Sequence, residues 1–153
     1  RIPGDNPFIS PILIDEMIEF WNKNKEIDYL SNILKPTFPI GMHIEIFNFK
    51  TLKVAYKTTE DSIDKEHVTP FIYNNPNLFK LLNFESPKNL SNFRLTVDYP
   101  EDLDFCRRLS KILQNKSDAS IEEICSIIKH YPSLKKINSM HEKLQIIKRK
   151  KTY

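Results

Sequence analysis

The sequence predicts an α/β fold, a parallel or mixed β-sheet with helices packed on it, and three observations carry that expectation. Strand-like and helix-like stretches alternate along the chain. Two apolar, strand-like approaches, Arg1-Ile2-Pro3-Gly4-Asp5-Asn6-Pro7 and Arg94-Leu95-Thr96-Val97-Asp98-Tyr99-Pro100, end in an aspartate followed by a proline. A proline placed there stops a strand and can open the next helix. Finally, 153 residues of which 40% are hydrophobic suffice for one core and one domain.

The elements follow in order. Ser10 caps a helix with Pro11 at its first position. Ile14, Met17, Ile18 and Trp21 then recur on one face, with Asp15 and Glu16 near the positive end of the dipole, so a helix is expected over 10–24. Residues 27–32 read as a short strand, and 35–41 as a rigid loop with two prolines and a glycine. In 42–48, Ile44 and Ile46 alternate with His43 and Glu45, which suits a strand with one polar face. A short helix is expected over 50–59 through Leu52, Ala55 and Tyr56. Residues 64–73 mix ionisable and large apolar side chains around Pro70 and read as helix or irregular chain. Strands are expected over 78–84 and 93–97, and a helix entered through Pro100 over 101–113. Ser120 with Glu123 forms a capping box ahead of Ile121, Ile124, Cys125 and Ile128, so a last helix runs to about His130, where Pro132 ends it.

Charge and cysteine content narrow the function classes. Lys148, Arg149, Lys150 and Lys151 supply the whole of the formal +3 charge; without them the chain holds 19 basic against 20 acidic residues. Such a tail reads as a solvated end, and the composition does not indicate nucleic-acid binding. No apolar run approaches the length that spans a bilayer. Cys106 and Cys125 lie among apolar residues of expected helices, outside any C-x-x-C pair, so they read as buried reduced thiols and point to the cytoplasm. His130 and His141 lack metal-ligand spacing.

Chemistry concentrates at the two aspartates. In open α/β sheets ligands collect beyond the carboxyl ends of the strands, so Asp5 and Asp98 converge if their strands are neighbours, and two such carboxylates can share a metal ion. The plainer alternative makes Asp5 a turn residue and Asp98 a cap on the helix at Pro100.

The ordered segments Arg1-Ile2-Pro3-Gly4-Asp5-Asn6-Pro7-Phe8-Ile9, 38–47, Glu66-His67-Val68-Thr69-Pro70-Phe71-Ile72 and 94–103 resemble the cytidylyltransferase family related to spore-coat polysaccharide biosynthesis proteins. That family is similar to the synthetases that attach CMP to 3-deoxy-manno-octulosonate and acylneuraminate sugars. The resemblance covers nearly the whole chain, and it implies a partial nucleotide-diphospho-sugar transferase (Rossmann-like) fold. Residues 1–116 would form the C-terminal part of the cytidylyltransferase domain, 117–147 its helical extension, and 148–153 a basic tail. The implied reaction passes CMP from CTP to a sugar, releasing pyrophosphate, with Mg²⁺ held by Asp5 and Asp98. By resemblance Glu45 lies near the sugar pocket; a solvated strand residue is its plain reading. His67 would contact substrate or a partner subunit, or cap its local turn; Arg94 would neutralise phosphate, or simply pair with Glu101 or Asp102.

The resemblance also implies a homodimer, for which Phe71, Ile72, Tyr73 and Phe79 would form the apolar patch unless they lie in the chain's own core. Ser10 and His43 stand where the family usually has aspartate, so a different sugar site is expected. Gly4 and Gly41 are the only glycines, so no glycine-rich phosphate loop can be built from this sequence, and the nucleotide-binding elements are expected to be lacking. A non-catalytic relative serving as an interaction module, and a nucleotidyltransferase using another triphosphate or sugar phosphate, remain as alternatives.

Overall fold

Local signals place the helices. The Ser10 hydroxyl accepts from the Leu13 N–H, and α1 (Pro11–Lys23) runs from it, turning Leu13 and Met17 inward. This computed structural model describes residues 1–114, 116 and 118–141. After α1 come β1 (Tyr29–Ser31), β2 (Glu45–Phe47), α2 (Phe49–Thr58), α3 (Ser62–His67), α4 (Pro70–Tyr73) and β3 (Leu81–Asn83). The chain continues through α5 (Pro100–Ile112), α6 (Ile121–His130) and α7 (Pro132–Lys136). Ser120 Oγ accepts from the Glu123 N–H, which is half of the expected box; the Glu123 carboxylate turns instead to Lys116. Pro132 ends α6 and opens α7. The expected basic tail lies outside the described residues.

The sheet is small and mixed, with order β2-β1-β3, β1 antiparallel to β2 and parallel to β3. Its three-residue strands are shorter than the sequence suggests, and two asparagines explain why. The Asn32 side chain donates to Met42 O and accepts from Ile44 N, taking the place of the next ladder bonds. Asn83 does the same against the main chain of Lys35, through both its amide oxygen and its amide nitrogen.

The expected strand at 93–97 is an extended segment with one parallel bridge, Ile40 to Arg94. Ile40 N donates to Phe93 O and Leu95 N donates to Ile40 O, and there the pairing stops. Gly41 turns away at φ +94°, so close to the 95–96 peptide that a Cβ would meet Thr96 N at 2.4 Å. The next donor of the segment, Val97 N, bonds Asp5 O instead. The chain around Asp5 thus takes the edge that Gly41 vacates.

Two apolar clusters fill the interior. The larger joins α1, α5 and α6 through Leu13, Met17, Phe105, Leu109, Ile124 and Ile128. The smaller, Tyr29, Ala55, Ile72 and Phe79, has Phe71 and Tyr73 packed against it. Of the expected dimer patch, Ile72 and Phe79 are therefore interior, with Phe71 and Tyr73 half-buried against their cluster. Large apolar side chains stand exposed instead on α2 and α3, at Phe49, Tyr56 and Ile63. Cys106 and Cys125 are buried thiols, each pushed up to about 12 by burial, and so are poor nucleophiles. Among the described residues, no helix is long and apolar enough to cross a membrane.

Candidate functional site

Asp5 and Asp98 sit on neighbouring stretches of main chain. Asp5 O accepts from Val97 N at 3.0 Å and from Thr96 Oγ1 at 3.3 Å, one and two residues before Asp98. Both aspartates are exposed. Beside them lie two buried nitrogens without a hydrogen-bond partner among the described residues, Asn6 Nδ2 and Arg94 Nη1. Hard carboxylate oxygens with spare N–H donors alongside fit a divalent cation that retains water or phosphate oxygens in its shell.

Arg94 is buried, and its guanidinium is engaged within the protein. Nε and Nη2 fork onto Asp102 at 2.8 and 2.6 Å, and Nη2 also donates to Asp98 Oδ2 at 2.7 Å. This is the pairing with Asp102 that the plainer reading of Arg94 expects, made as the segment at 93–97 turns the side chain inward onto the start of α5. Asp102 is wholly buried and also accepts from Asn138 Nδ2 and from the main-chain N–H groups of Asp98 and Tyr99.

Burial opposes ionisation of Asp102, but the bonds from Arg94, Asn138 and the Asp98 N–H outweigh it and hold the carboxyl below the usual aspartate range. A carboxyl lowered on folding stabilises the native state above its unfolded pKa, and that stability is lost as pH falls through the folded value. Acid titration followed by circular dichroism should show unfolding extending below pH ~4. In Asp102→Asn that acid-dependent component should be smaller.

Glu45 and His67 belong to a second centre. Glu45 lies on β2, and the expected solvated face is covered: the carboxylate is buried, with Oε1 accepting from Tyr29 Oη at 2.7 Å and Thr69 Oγ1 at 2.9 Å, and Oε2 paired with Arg1. The carboxylate is thus occupied internally, where the family resemblance implies a place near the sugar pocket. Burial and the adjacent Glu45 carboxylate push the Tyr29 hydroxyl well above its ordinary range, so Tyr29 stays protonated as a donor. His67 is exposed at the end of α3.

Between His67 and Thr69 the chain makes a left-handed γ-turn: Val68 has φ 73° and ψ −52°, and Thr69 N donates to His67 O. A β-branched residue there is strained by about 1–3 kcal/mol. The bond from Thr69 to buried Glu45 helps to hold the turn. Val68→Gly should relieve the strain and raise stability by roughly 1 kcal/mol, read from the denaturant midpoint.

The sequence offers Asp102 only as a partner of Arg94 and gives no role to Asn138, Tyr29 or Thr69. The spacing of Arg94, Asp98 and Asp102 is a usable signal for the first; nothing local marks the others. Ser10, one of the departures, is the buried cap of α1. Serine and aspartate cap about equally well, so that change leaves the helix start intact.

A family model described as Cytidylyltransferase matches residues 1–150. The chain is 38% identical over 143 residues to the uncharacterized protein MJ1063 of Methanocaldococcus jannaschii, covering 91% of this chain and 56% of that protein. It is 30% identical over 137 residues to the spore coat polysaccharide biosynthesis protein SpsF of Bacillus subtilis, covering 86% and 55% respectively. A cytidylyltransferase structure from Leptospira borgpetersenii superposes with a TM-score of 0.81 at 28% identity, over 86% of this chain and 55% of that one. The chain thus spans about half the length of the curated relatives it matches.

Proposed function

The chain belongs to the cytidylyltransferase family, and from that premise we propose that the protein transfers CMP from CTP to a sugar or sugar acid, releasing pyrophosphate, for surface polysaccharide or glycan synthesis. The supporting observation is the juxtaposition of Asp5 with the segment that ends at Asp98. In this reading Asp5 and Asp98 would hold Mg²⁺ beside the triphosphate, whose α-phosphate a sugar hydroxyl would attack in line. The bound ion would offset charge on the α-phosphate and the departing pyrophosphate. Arg94 serves by holding Asp98. Glu45 serves by holding the turn that presents His67, which is the side chain of that pair offered to a substrate or partner. The compartment in this reading is the cytoplasm.

Pyrophosphate release by the intact protein, with four triphosphates offered in turn alongside a panel of sugar acids and sugar phosphates, tests the reaction. Preference for CTP supports it. Preference for another triphosphate selects the neighbouring nucleotidyltransferase reading, and no release with any pair selects the non-catalytic one.

A homodimer through the α2–α3 face completes the proposal. Phe49, Tyr56 and Ile63 are exposed there, with Lys50, Lys53 and Lys57 on α2 and Glu60, Asp61, Asp64 and Glu66 on or beside α3. A two-fold axis could set the basic helix of one copy against the acidic one of the other. Sedimentation should give a dimer that Tyr56→Glu weakens; monomer alone at micromolar concentration would count against it.

A further inference from the structure

We propose that Arg94, Asp102 and Asn138 form a buried positioning relay that fixes the Asp98 carboxylate for the cation, so that the segment after α7 acts on the site without touching a ligand. The inference rests on the reading of Asp98 as a cation ligand. Asp98 is gripped at two points by one carboxylate: Asp102 Oδ2 accepts the Asp98 main-chain N–H at 3.1 Å, and Asp102 also orients the guanidinium that holds the Asp98 side chain. Asn138 Nδ2 donates to the remaining oxygen, Asp102 Oδ1, at 2.9 Å from 36 residues away. Arg94 and Asp102 side chains are both fully buried, and Asn138 is 2% exposed, so the relay has little room to relax.

Charge supports the same assignment. Arg94 is shared by Asp98 and Asp102, so its single positive charge leaves that pair of carboxylates one net negative charge to offer a cation. A guanidinium is planar, and Nη2 uses its Nε-side hydrogen for Asp102. Its other hydrogen therefore reaches Asp98 along the edge shared with Nη1. Nη1 has no hydrogen-bond partner among the described residues, so a small rotation of the Asp98 carboxyl has a second donor to meet.

Outer partners of metal ligands typically alter metal affinity by roughly 10–100-fold. Mn²⁺ binding to the intact protein, followed by electron paramagnetic resonance without nucleotide, reads this directly. Asn138→Leu removes the amide at similar volume, and Arg94→Lys keeps the charge but loses the fork. Each should weaken Mn²⁺ binding roughly tenfold or more while the protein remains folded by circular dichroism. Asp98→Asn should remove most of it. If Asn138→Leu and Arg94→Lys lower only the melting temperature and leave Mn²⁺ affinity unchanged while Asp98→Asn abolishes binding, the relay is overturned and the cation site stands. If Asp98→Asn binds Mn²⁺ like the wild type, the cation reading itself fails and the relay with it.

Discussion

Asp98→Asn in the intact protein is expected to lose at least about a hundredfold in metal-dependent turnover while remaining folded. Asparagine keeps the shape and can still accept from Arg94, but its neutral amide is a poor partner for a hard cation. On the proposed reading, losing one of two carboxylate ligands removes several kcal/mol of charge stabilisation, and each 1.36 kcal/mol is about tenfold in rate. The fold should scarcely notice, because Arg94 keeps its fork onto buried Asp102 and the partly exposed pair with Asp98 is worth on the order of 1 kcal/mol or less. Asp5→Asn should behave alike, since the fold uses the Asp5 main-chain carbonyl and leaves the exposed carboxyl available. Pyrophosphate release measured against Mg²⁺ concentration checks both; a rate close to wild type in either variant refutes the assignment.

Gly41→Ala should cost about 2–5 kcal/mol, the largest stability loss expected from adding one methyl group to this chain. The residue lies at φ +94°, where an L side chain is strained. A Cβ there would also stand 2.4 Å from Thr96 N and 2.5 Å from the Leu95 carbonyl carbon. Both obstacles are backbone, so relief requires moving the segment that carries Arg94 and Asp98. Gly4 is the internal control, with nothing within 4 Å of its would-be Cβ. Gly4→Ala should change stability by no more than about 0.5 kcal/mol. Denaturant midpoints compare the two, and an unshifted midpoint for Gly41→Ala would contradict the close-approach account.

What could be read from sequence was mostly what is decided locally. Ser10 with Pro11, Pro100 and Ser120 mark helix starts because a cap acts within one turn. The meeting of the Asp5 and Asp98 segments was legible from their matching strand-to-turn pattern. Strand length was not, because Asn32 and Asn83 intercept the ladder through partners at 42, 44 and 35 that no local pattern reveals. Alternation correctly put Glu45 opposite Ile44 and Ile46, but whether that face meets water depends on Tyr29 and Thr69, supplied by other elements. Phe71 and Ile72 were ambiguous for the same reason, as only the neighbouring cluster decides which way a four-residue helix turns. Asn138 stood out only through the family resemblance of Ile137-Asn138, which says nothing of its bond to Asp102.

The bond between Thr96 and Asp5 spans 91 residues, and the one between Asn138 and Asp102 spans 36. Contacts so distant along the chain form slowly, since long loops must close before either bond repays the lost freedom. During synthesis, Asp98 leaves the ribosome well before Asn138 does. Nascent chains halted short of that residue should therefore bring the Asp5 and Asp98 segments together before the Asn138 brace is in place, so that the proposed cation site is completed late.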